Sequence, residues 1–235
     1  MSRRAGIGFA IARRLLGAGA SVFIQGWSAH DERQSWGAEP GGTEAVAREL
    51  GVDFVEADFA DPAAPAAVVE AAGPLDILVV NHARSGHGGL SELTAQELDA
   101  FLHENVRASL LLVREFAERH DDSRPGGRVV LFTSGQHLAP MAREIGYAVS
   151  KGALQQAALT LADELADRGI TVNAINPGPT DTGWMEGRKA GAEMPFGRWG
   201  EPDDAARLVA WLCSDDARWI TGQTINSEGG FRRWV

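Results

Sequence analysis

Cysteine is almost absent from this chain. Cys213 is the only cysteine among 235 residues, so an intrachain disulfide is impossible and a cysteine metal cluster is excluded. The six histidines include no pair at i, i+4 and no HExxH motif, so the sequence predicts no metal site. Such low cysteine usage fits a reducing compartment, and we expect a cytoplasmic protein.

Long hydrophobic runs and clusters of positive charge are also missing. The longest apolar runs, LDILVV and SLLLV, are far too short to cross a membrane, and no apolar signal segment follows the two N-terminal arginines. Lysine and arginine number 22 against 32 acidic residues, a net charge of −10, with no block of basic residues. We therefore expect neither nucleic acid nor a membrane as a partner.

Short apolar runs alternate with longer helical patterns along the whole chain. Buried strands are predicted at 21–26, 52–57, 75–81, 127–134, 170–176 and 223–228. Helices are predicted at 6–18, 43–50, 62–72, 94–120 (with a possible break), 147–168 and 202–213. This alternation predicts an α/β fold with a doubly wound parallel sheet, and because no linker divides the chain we expect one domain over 1–235.

A glycine-rich turn opens the first helix, in the stretch RAGIGFAIARRLLGAGA. Gly6 and Gly8 flank Ile7 there, and glycine lets a backbone approach a pyrophosphate closely at a helix N-terminus. The motif indicates dinucleotide binding, although a turn before any helix also uses glycine.

Residues around the second strand bear on the choice of cofactor. An acid after that strand would bind the ribose 2′-OH of NAD, but the first one, Asp31, comes several residues too late. Arg3 and Arg4 in the glycine turn would favour a 2′-phosphate, although both could simply be solvated at a chain end. We expect NADP(H) to be favoured, with NAD(H) possible.

The segment GYAVSKGALQQAALTLADEL carries the strongest chemical signal. Tyr147, the only tyrosine, and Lys151 are four residues apart on a predicted helix, so their side chains share one face. A nearby ammonium and a nicotinamide cation are expected to lower the pKa of the phenol and let it exchange a proton near neutral pH. Ser134 ends a predicted strand, at the sheet edge where ligands bind in such folds. A pair of this spacing on a surface helix is the structural alternative.

These residues and their spacing resemble the short-chain dehydrogenase/reductase family over essentially the whole chain, with the 3-oxoacyl-carrier-protein reductase type the most similar. The resemblance rests on GIG, DFAD (58–61), NHAR (81–84), HENVRASLLL, Ser134, YAVSK, NPGPTDT (176–182) and ITGQTINSEGG (220–230). It implies a Rossmann-type fold. It also implies cofactor contacts at Ser2, Arg3, Arg4, Gly6, Ile7, Gly8, Asp58, Phe59, Asn81, Ala83, Tyr147, Lys151, Pro177, Gly178, Thr180 and Thr182.

The same resemblance implies the catalytic roles. Tyr147 would be the general acid/base, Ser134 would polarise the carbonyl, and Lys151 would lower the tyrosine pKa and hold the ribose. Asn105 would support the lysine through water. We expect hydride transfer between a nicotinamide cofactor and a small carbonyl or alcohol. A catalytically silent nucleotide-binding or scaffold protein is the alternative, and Lys151 and Asp58 argue against a lyase or dehalogenase.

Two departures from the family pattern stand out. NHAR has His82 and Arg84 where the family has Asn and Gly. We expect Arg84 to begin a solvated loop, although it could narrow the site or reach an acidic substrate group. The strand that normally precedes the glycine turn, at the centre of the sheet, is also missing. Because unpaired buried backbone groups are costly, we expect the native protein to carry about ten further residues.

Contacts to substrate and to other subunits are predicted from two more segments. Trp184 and Met185, in the loop 183–199, are candidates for a lid over an apolar substrate, with Gln136 and His137 as further contacts. The same apolar residues could instead pack on the body of the protein. Small residues on the helix 147–168 (Gly152, Ala153 and Ala157), together with the family resemblance, predict a homodimer or homotetramer.

Overall fold

The computed structural model describes residues 3–33, 37, 39–124, 126–185 and 187–234. The chain forms two compact units. The first unit comprises Met1–Asp58, Pro177–Trp211 and Ser227–Val235, and the second comprises Phe59–Asn176 and Leu212–Asn226. One domain over the whole chain stays a prediction.

Among the described residues, six parallel strands form the sheets of the two units. They are β1 (Phe23–Gly26), β2 (Asp53–Glu56), β3 (Ile77–Val80), β4 (Arg128–Phe132), β5 (Thr171–Asn176) and β6 (Thr224–Asn226). β1 pairs with β2 in the first unit, with Phe23 opposite Asp53. The second unit has the order β3-β4-β5-β6, with Ile77 opposite Arg128 and Arg128 opposite Thr171. The predicted α/β class and the six predicted strands are confirmed.

In the part of the chain that the structure describes, one α-helix precedes the first strand and seven lie between strands. They are α1 (Ile7–Gly17), α2 (Ser28–Asp31), α3 (Gly42–Leu50), α4 (Ala64–Ala72), α5 (Ala95–Phe101), α6 (Ala108–Arg119), α7 (Ile145–Leu165) and α8 (Pro202–Leu212). The possible break in the predicted helix 94–120 is real: a π-helical segment, Leu102–Arg107, separates α5 from α6. The short helix α2 lies in a stretch predicted as a loop. None of the described helices has both the length and the apolar composition that a membrane span requires.

The described strands form two sheets. β1 and β3 each have a single strand neighbour among the described residues.

Each unit has its own apolar core. In the first unit Phe9 and Ala12 of α1 pack with Ile24 of β1 and with Val46 and Ala47 of α3. In the second unit every residue of β4 and β5 is buried, as expected for inner strands covered on both faces. The buried strand β4 ends two residues before Ser134, and α7 packs against both β4 and β5. This packing fixes the elements that carry the predicted catalytic residues.

The contact between Gly146 of α7 and the ring of Phe101 gives a first test of this packing. A Cβ atom at Gly146 would lie 2.5 Å from Phe101 Cδ2, whereas one at Gly152 on the same helix would meet Gln136 Cγ at 3.9 Å, an ordinary contact. We expect Gly146→Ala to lower the free energy of unfolding by about 1–3 kcal/mol. Gly152→Ala should raise it by about 0.5–1 kcal/mol. Urea denaturation measures both, and equal stabilities would contradict the tight contact.

Candidate active site

Ser134 lies where β4 gives way to a turn. The strand's last residue is Phe132, and Ser134 has an extended backbone and is half-buried. Its backbone N–H donates to Gln136 Oε1 over 3.1 Å. The Ser134 hydroxyl is also close enough to the Tyr147 phenol to act on its pKa through hydrogen bonding. The structure therefore brings these two predicted residues together.

Tyr147 and Lys151 lie one turn apart near the start of α7, as predicted. The Lys151 side chain is only 2% exposed, and its Nζ donates to the carbonyl of Phe132 over 2.9 Å. Nζ lies 5.7 Å from the centre of the Tyr147 ring. The predicted pair is thus adjacent, but the ammonium is held by the end of β4 as well as by its own helix.

Burial dominates the electrostatics of this pair. It lowers the pKa of Lys151 to about 8, because a charged ammonium loses its hydration inside the protein. It raises the pKa of Tyr147 above its ordinary value, assisted by the charge of Glu144, while the hydrogen bond with Ser134 acts in the opposite direction. In the protein without cofactor, desolvation thus outweighs the neighbouring groups, and the expected lowering of the tyrosine pKa by the ammonium together with a nicotinamide cation stays a prediction.

Asn105 is completely buried in the π-helical segment. Its Oδ1 accepts from the backbone N of Arg84 over 2.7 Å, and its Nδ2 donates to the Arg84 carbonyl and to Ser150 Oγ, each over 2.9 Å. Ser150 is the residue before Lys151. The carboxamide thus fixes the loop after β3 to α7, and the expected support of Lys151 through water stays a prediction.

His82, at the position where the family has asparagine, is packed against Phe59 with ring centres 4.4 Å apart. Its Nε2 lies 2.8 Å from the carbonyl of Glu104. Since a carbonyl only accepts, Nε2 carries the proton in the neutral ring. Burial, helped by the charge of Lys151 and opposed by the bond to Glu104, lowers the pKa of His82 to about 4. His82 is therefore neutral at physiological pH.

Arg84 does not begin a solvated loop, so that expectation is wrong. Its Nη1 pairs with Glu104 Oε1 over 3.0 Å, and its guanidinium lies 5.6 Å from the centre of the Phe101 ring. Its Nε is buried and has no hydrogen-bond partner. Asn105 hydrogen-bonds to the backbone of Arg84. Together with the ion pair, these bonds hold Arg84 in place.

The glycine turn of the first unit precedes α1 as predicted. Gly6 is the cap residue with an extended backbone, and Ile7 and Gly8 begin the helix. No side chain caps this N-terminus, and the first turn holds no acidic residue. The N-terminus of α1 therefore favours the binding of an anion such as a pyrophosphate.

The two arginines before this turn are engaged by other residues. Arg3 Nη2 donates to the carbonyl of Thr182 over 2.9 Å. Arg4 pairs with Glu39 over 2.8 Å and also with Glu49. The notion that both are simply solvated is wrong, and much of the positive charge of Arg4 is balanced by carboxylates. Ser2, also predicted to contact the cofactor, lies outside the described residues.

Four predicted cofactor residues follow the ends of β2 and β3. Asp58 is half-buried two residues beyond β2, and Phe59 is buried. Asn81 and Ala83, both half-buried, come directly after β3. All four lie beyond the carboxyl ends of parallel strands, where this class of fold binds its ligands.

Glu56, the last residue of β2, was missed by the sequence reasoning. Its Oε2 accepts from the backbone N of Ser28 over 2.8 Å, and Ser28 Oγ also donates to this carboxylate. Burial acts to raise the pKa of Glu56, but hydrogen bonds from Ser28 and Thr43 outweigh it, and the pKa lies below its ordinary value. An acid is thus present at the end of β1, supplied by the neighbouring strand. Only the parallel register of β1 and β2 could have revealed it.

The segment after β5 belongs to the first unit. Gly178 has φ +65°, and a Cβ there would lie 2.9 Å from Glu228 Cα, so glycine is required. Thr180 is buried and its Oγ1 donates to the carbonyl of Pro177 over 3.1 Å. Thr182 is half-buried. The Thr180 hydroxyl is thus hydrogen-bonded to a backbone carbonyl, and Thr182 is the more accessible of the two threonines.

The predicted substrate contacts fall into exposed and enclosed groups. Trp184 is 46% exposed, with its indole N–H donating to the carbonyl of Thr180 over 2.8 Å, whereas Met185 is buried. His137 is exposed, whereas the Gln136 amide bonds to protein atoms. For Met185 the structure favours packing over contact with substrate. A cavity of about 190 Å³ beside Pro177 is lined by further residues of this segment, including Met194 and Phe196.

Comparison with known proteins defines the class of this protein. A family model described as enoyl-(acyl carrier protein) reductase matches residues 1–232. The uncharacterized oxidoreductase YjdA of Bacillus subtilis is 40% identical over 240 residues, covering 99% of this chain and 94% of the relative. These matches identify an oxidoreductase of α/β fold.

Comparison of this chain with solved structures identifies its family. A short-chain dehydrogenase/reductase from Serratia marcescens superposes with a TM-score of 0.84 at 35% identity, covering 98% of this chain and 94% of that one. The complex of BdcA with NADPH gives a TM-score of 0.82 at 33% identity, covering 96% and 90%. The chain belongs to the short-chain dehydrogenase/reductase family, which confirms the resemblance found in its sequence.

The neutral His82 predicts a pH dependence of stability. The pKa of this side chain is about 4 in the folded protein against an ordinary 6.5, so below about pH 6.5 the unfolded chain binds more protons and stability is lost as the pH falls. From pH 7 to pH 5 the free energy of unfolding should fall by about 2 kcal/mol more in the wild type than in His82→Asn. Denaturant titrations at both pH values measure this difference, and parallel losses in the two proteins would contradict it.

Proposed function

We propose that this protein is a nicotinamide-dependent carbonyl reductase or alcohol dehydrogenase in which Tyr147 is the general acid/base. The observation that carries the proposal is the convergence of the Ser134 hydroxyl and the Lys151 ammonium on this single tyrosine. A buried lysine with a lowered pKa and a tyrosine with a raised one are typical of a functional site.

NADP(H) is the cofactor that we propose. The BdcA complex contains NADPH, and the uncapped N-terminus of α1, free of acidic residues in its first turn, suits a pyrophosphate. When bound, this cofactor supplies or accepts the hydride. Residues of the first unit that would hold it include Gly6, Gly8 and Thr182.

The proton chemistry belongs to Ser134, Tyr147 and Lys151. Because its pKa is raised, the Tyr147 phenol keeps its proton at neutral pH and can donate it from Oη to a carbonyl oxygen that is being reduced. The Ser134 hydroxyl, bonded to the same phenol, can donate to that oxygen and orient it. The Lys151 ammonium beside the ring would stabilise the phenolate left behind. With Tyr147 protonated, these three residues favour reduction of a carbonyl over oxidation of an alcohol.

We also propose a cytoplasmic homo-oligomer, from the cysteine content and the family resemblance. On α7 the side chains of Val149 and Leu159 are 52% and 56% exposed, and Gly152, Ala153 and Ala157 keep that helix narrow. An apolar surface of this kind suits a helix-to-helix contact with a second copy.

Replacing the tyrosine tests the proposed chemistry directly. Tyr147→Phe removes only the phenolic oxygen, so we expect turnover of ketones and aldehydes with NADPH to fall by about 10²–10⁴-fold. NADPH affinity, followed by nicotinamide fluorescence, should change little. Unchanged turnover would contradict the proposal. Failure of the wild type to bind either nicotinamide cofactor would favour the alternative of a silent scaffold protein.

Glu56 allows a test of cofactor preference. Proteins of this fold bind the ribose 2′ substituent just after the second strand of the sheet, and the Glu56 carboxylate lies at the corresponding end of β1. We expect the wild type to bind NADPH more tightly than NADH. Glu56→Gln should tighten NADPH binding by about two- to fivefold, because a repulsion with the 2′-phosphate is removed, and should affect NADH less.

The matched control for this cofactor test is Glu118→Gln on α6, which removes an equal charge from an exposed position. Fluorescence titrations of both cofactors against both variants give the four dissociation constants. Equal changes for NADPH and NADH in Glu56→Gln would contradict a role in discrimination.

A further inference from the structure

The side chain of Gln136 is engaged at both ends by protein atoms. It lies in the short 3₁₀ turn Gly135–His137 that follows Ser134. Its Oε1 accepts from the Ser134 backbone N over 3.1 Å, and its Nε2 donates to Thr133 Oγ1 over 3.0 Å and to Gln155 Oε1 over 2.9 Å. Both amide hydrogens therefore have partners within the protein.

These bonds join the turn at the end of β4 to α7 at Lys151 and at Gln155. Thr133 Oγ1 donates to the backbone carbonyl of Lys151 over 2.9 Å, and Gln155 lies one helical turn further along. A carboxamide suits this position because it offers an acceptor to one neighbour and donors to two others. A carboxylate at this position could not donate to Thr133 or Gln155. An apolar side chain could make none of these hydrogen bonds.

We propose that Gln136 is a positioning residue for the reaction and acts through Ser134. Its carboxamide fixes the Ser134 backbone relative to α7, and thereby sets the distance between the Ser134 hydroxyl and the Tyr147 phenol. This inference rests on the proposed function of Ser134 and Tyr147. It replaces the expectation that Gln136 contacts the substrate, since that contact would require breaking bonds to Thr133 or Gln155.

The test compares Gln136→Met with Gln156→Met. Methionine matches the length of glutamine but has no amide, and Gln156 is an exposed neighbour of Gln155 on the same helix. Hydrogen exchange of the Ser134 amide reports the bond to Oε1 directly. The chemical shift of Tyr147 Cζ, a single resonance in tyrosine-labelled protein because the chain has one tyrosine, reports hydrogen bonding at the phenol.

In Gln136→Met we expect exchange of the Ser134 amide to accelerate about tenfold and the Tyr147 Cζ resonance to shift. The kcat for NADPH-dependent ketone reduction should fall about tenfold, with less than about a twofold change in KM or in NADPH affinity. Gln156→Met should match the wild type in every measurement. A loss of stability with no change in the Tyr147 resonance or in kcat would show a merely structural role and overturn the proposal.

A second pair of variants covers the case in which Gln136→Met does not fold. Gln155→Glu keeps an acceptor for Gln136 Nε2, whereas Gln155→Leu removes it. We expect the glutamate variant to retain the wild-type Tyr147 resonance and kcat, and the leucine variant to shift both in the direction of Gln136→Met. Identical behaviour of the two Gln155 variants would contradict the network.

The two proposals fail in different ways. If Tyr147 is not catalytic, Tyr147→Phe keeps its turnover while the Tyr147 resonance still responds to Gln136→Met. If Gln136 does not position Ser134, Tyr147→Phe loses turnover while Gln136→Met leaves the Ser134 amide exchange, the resonance and kcat as in the wild type. The hydrogen exchange and resonance measurements need no substrate, so they decide the role of Gln136 even before a substrate is found.

Discussion

The second unit depends on how the end of β4 holds Lys151. Two hydrogen bonds meet there: Lys151 Nζ donates to the carbonyl of Phe132, and Thr133 Oγ1 donates to the carbonyl of Lys151. They fix the helix that carries Tyr147 against the strand that leads to Ser134. Burial lowers the pKa of this ammonium to about 8, which is destabilising for a fold but useful beside a reacting oxygen.

Hydrogen bonds of side-chain amides extend this constraint to the surrounding loops. Asn105 hydrogen-bonds to the backbone of Arg84 and to Ser150, and Gln136 bonds to Ser134 and Gln155. Each carboxamide joins a loop that follows a strand to α7. The positions of these loop residues are therefore set by α7, as a site with small geometric tolerance needs.

The sequence was sufficient for the strands, most helices and the group Ser134, Tyr147 and Lys151, because these follow from apolar periodicity and from the spacing along one helix. It was insufficient where the outcome depends on distant contacts. The raised pKa of Tyr147 comes from burial, which spacing along a helix does not reveal. The ion pairs of Arg84 and Arg4, and the position of Glu56, depend on residues about 20 to 45 positions away in the chain.

The π-helical segment Leu102–Arg107 holds one residue more than an α-helix of equal length would need, which rotates everything after it about the helix axis. α5 and α6 are thereby out of phase, and each can present its own apolar stripe to a different neighbour. Asn105, within that segment, turns inward where a regular helix would direct a different residue. A single inserted amino acid is thus enough to turn part of a packing helix into a support for the site.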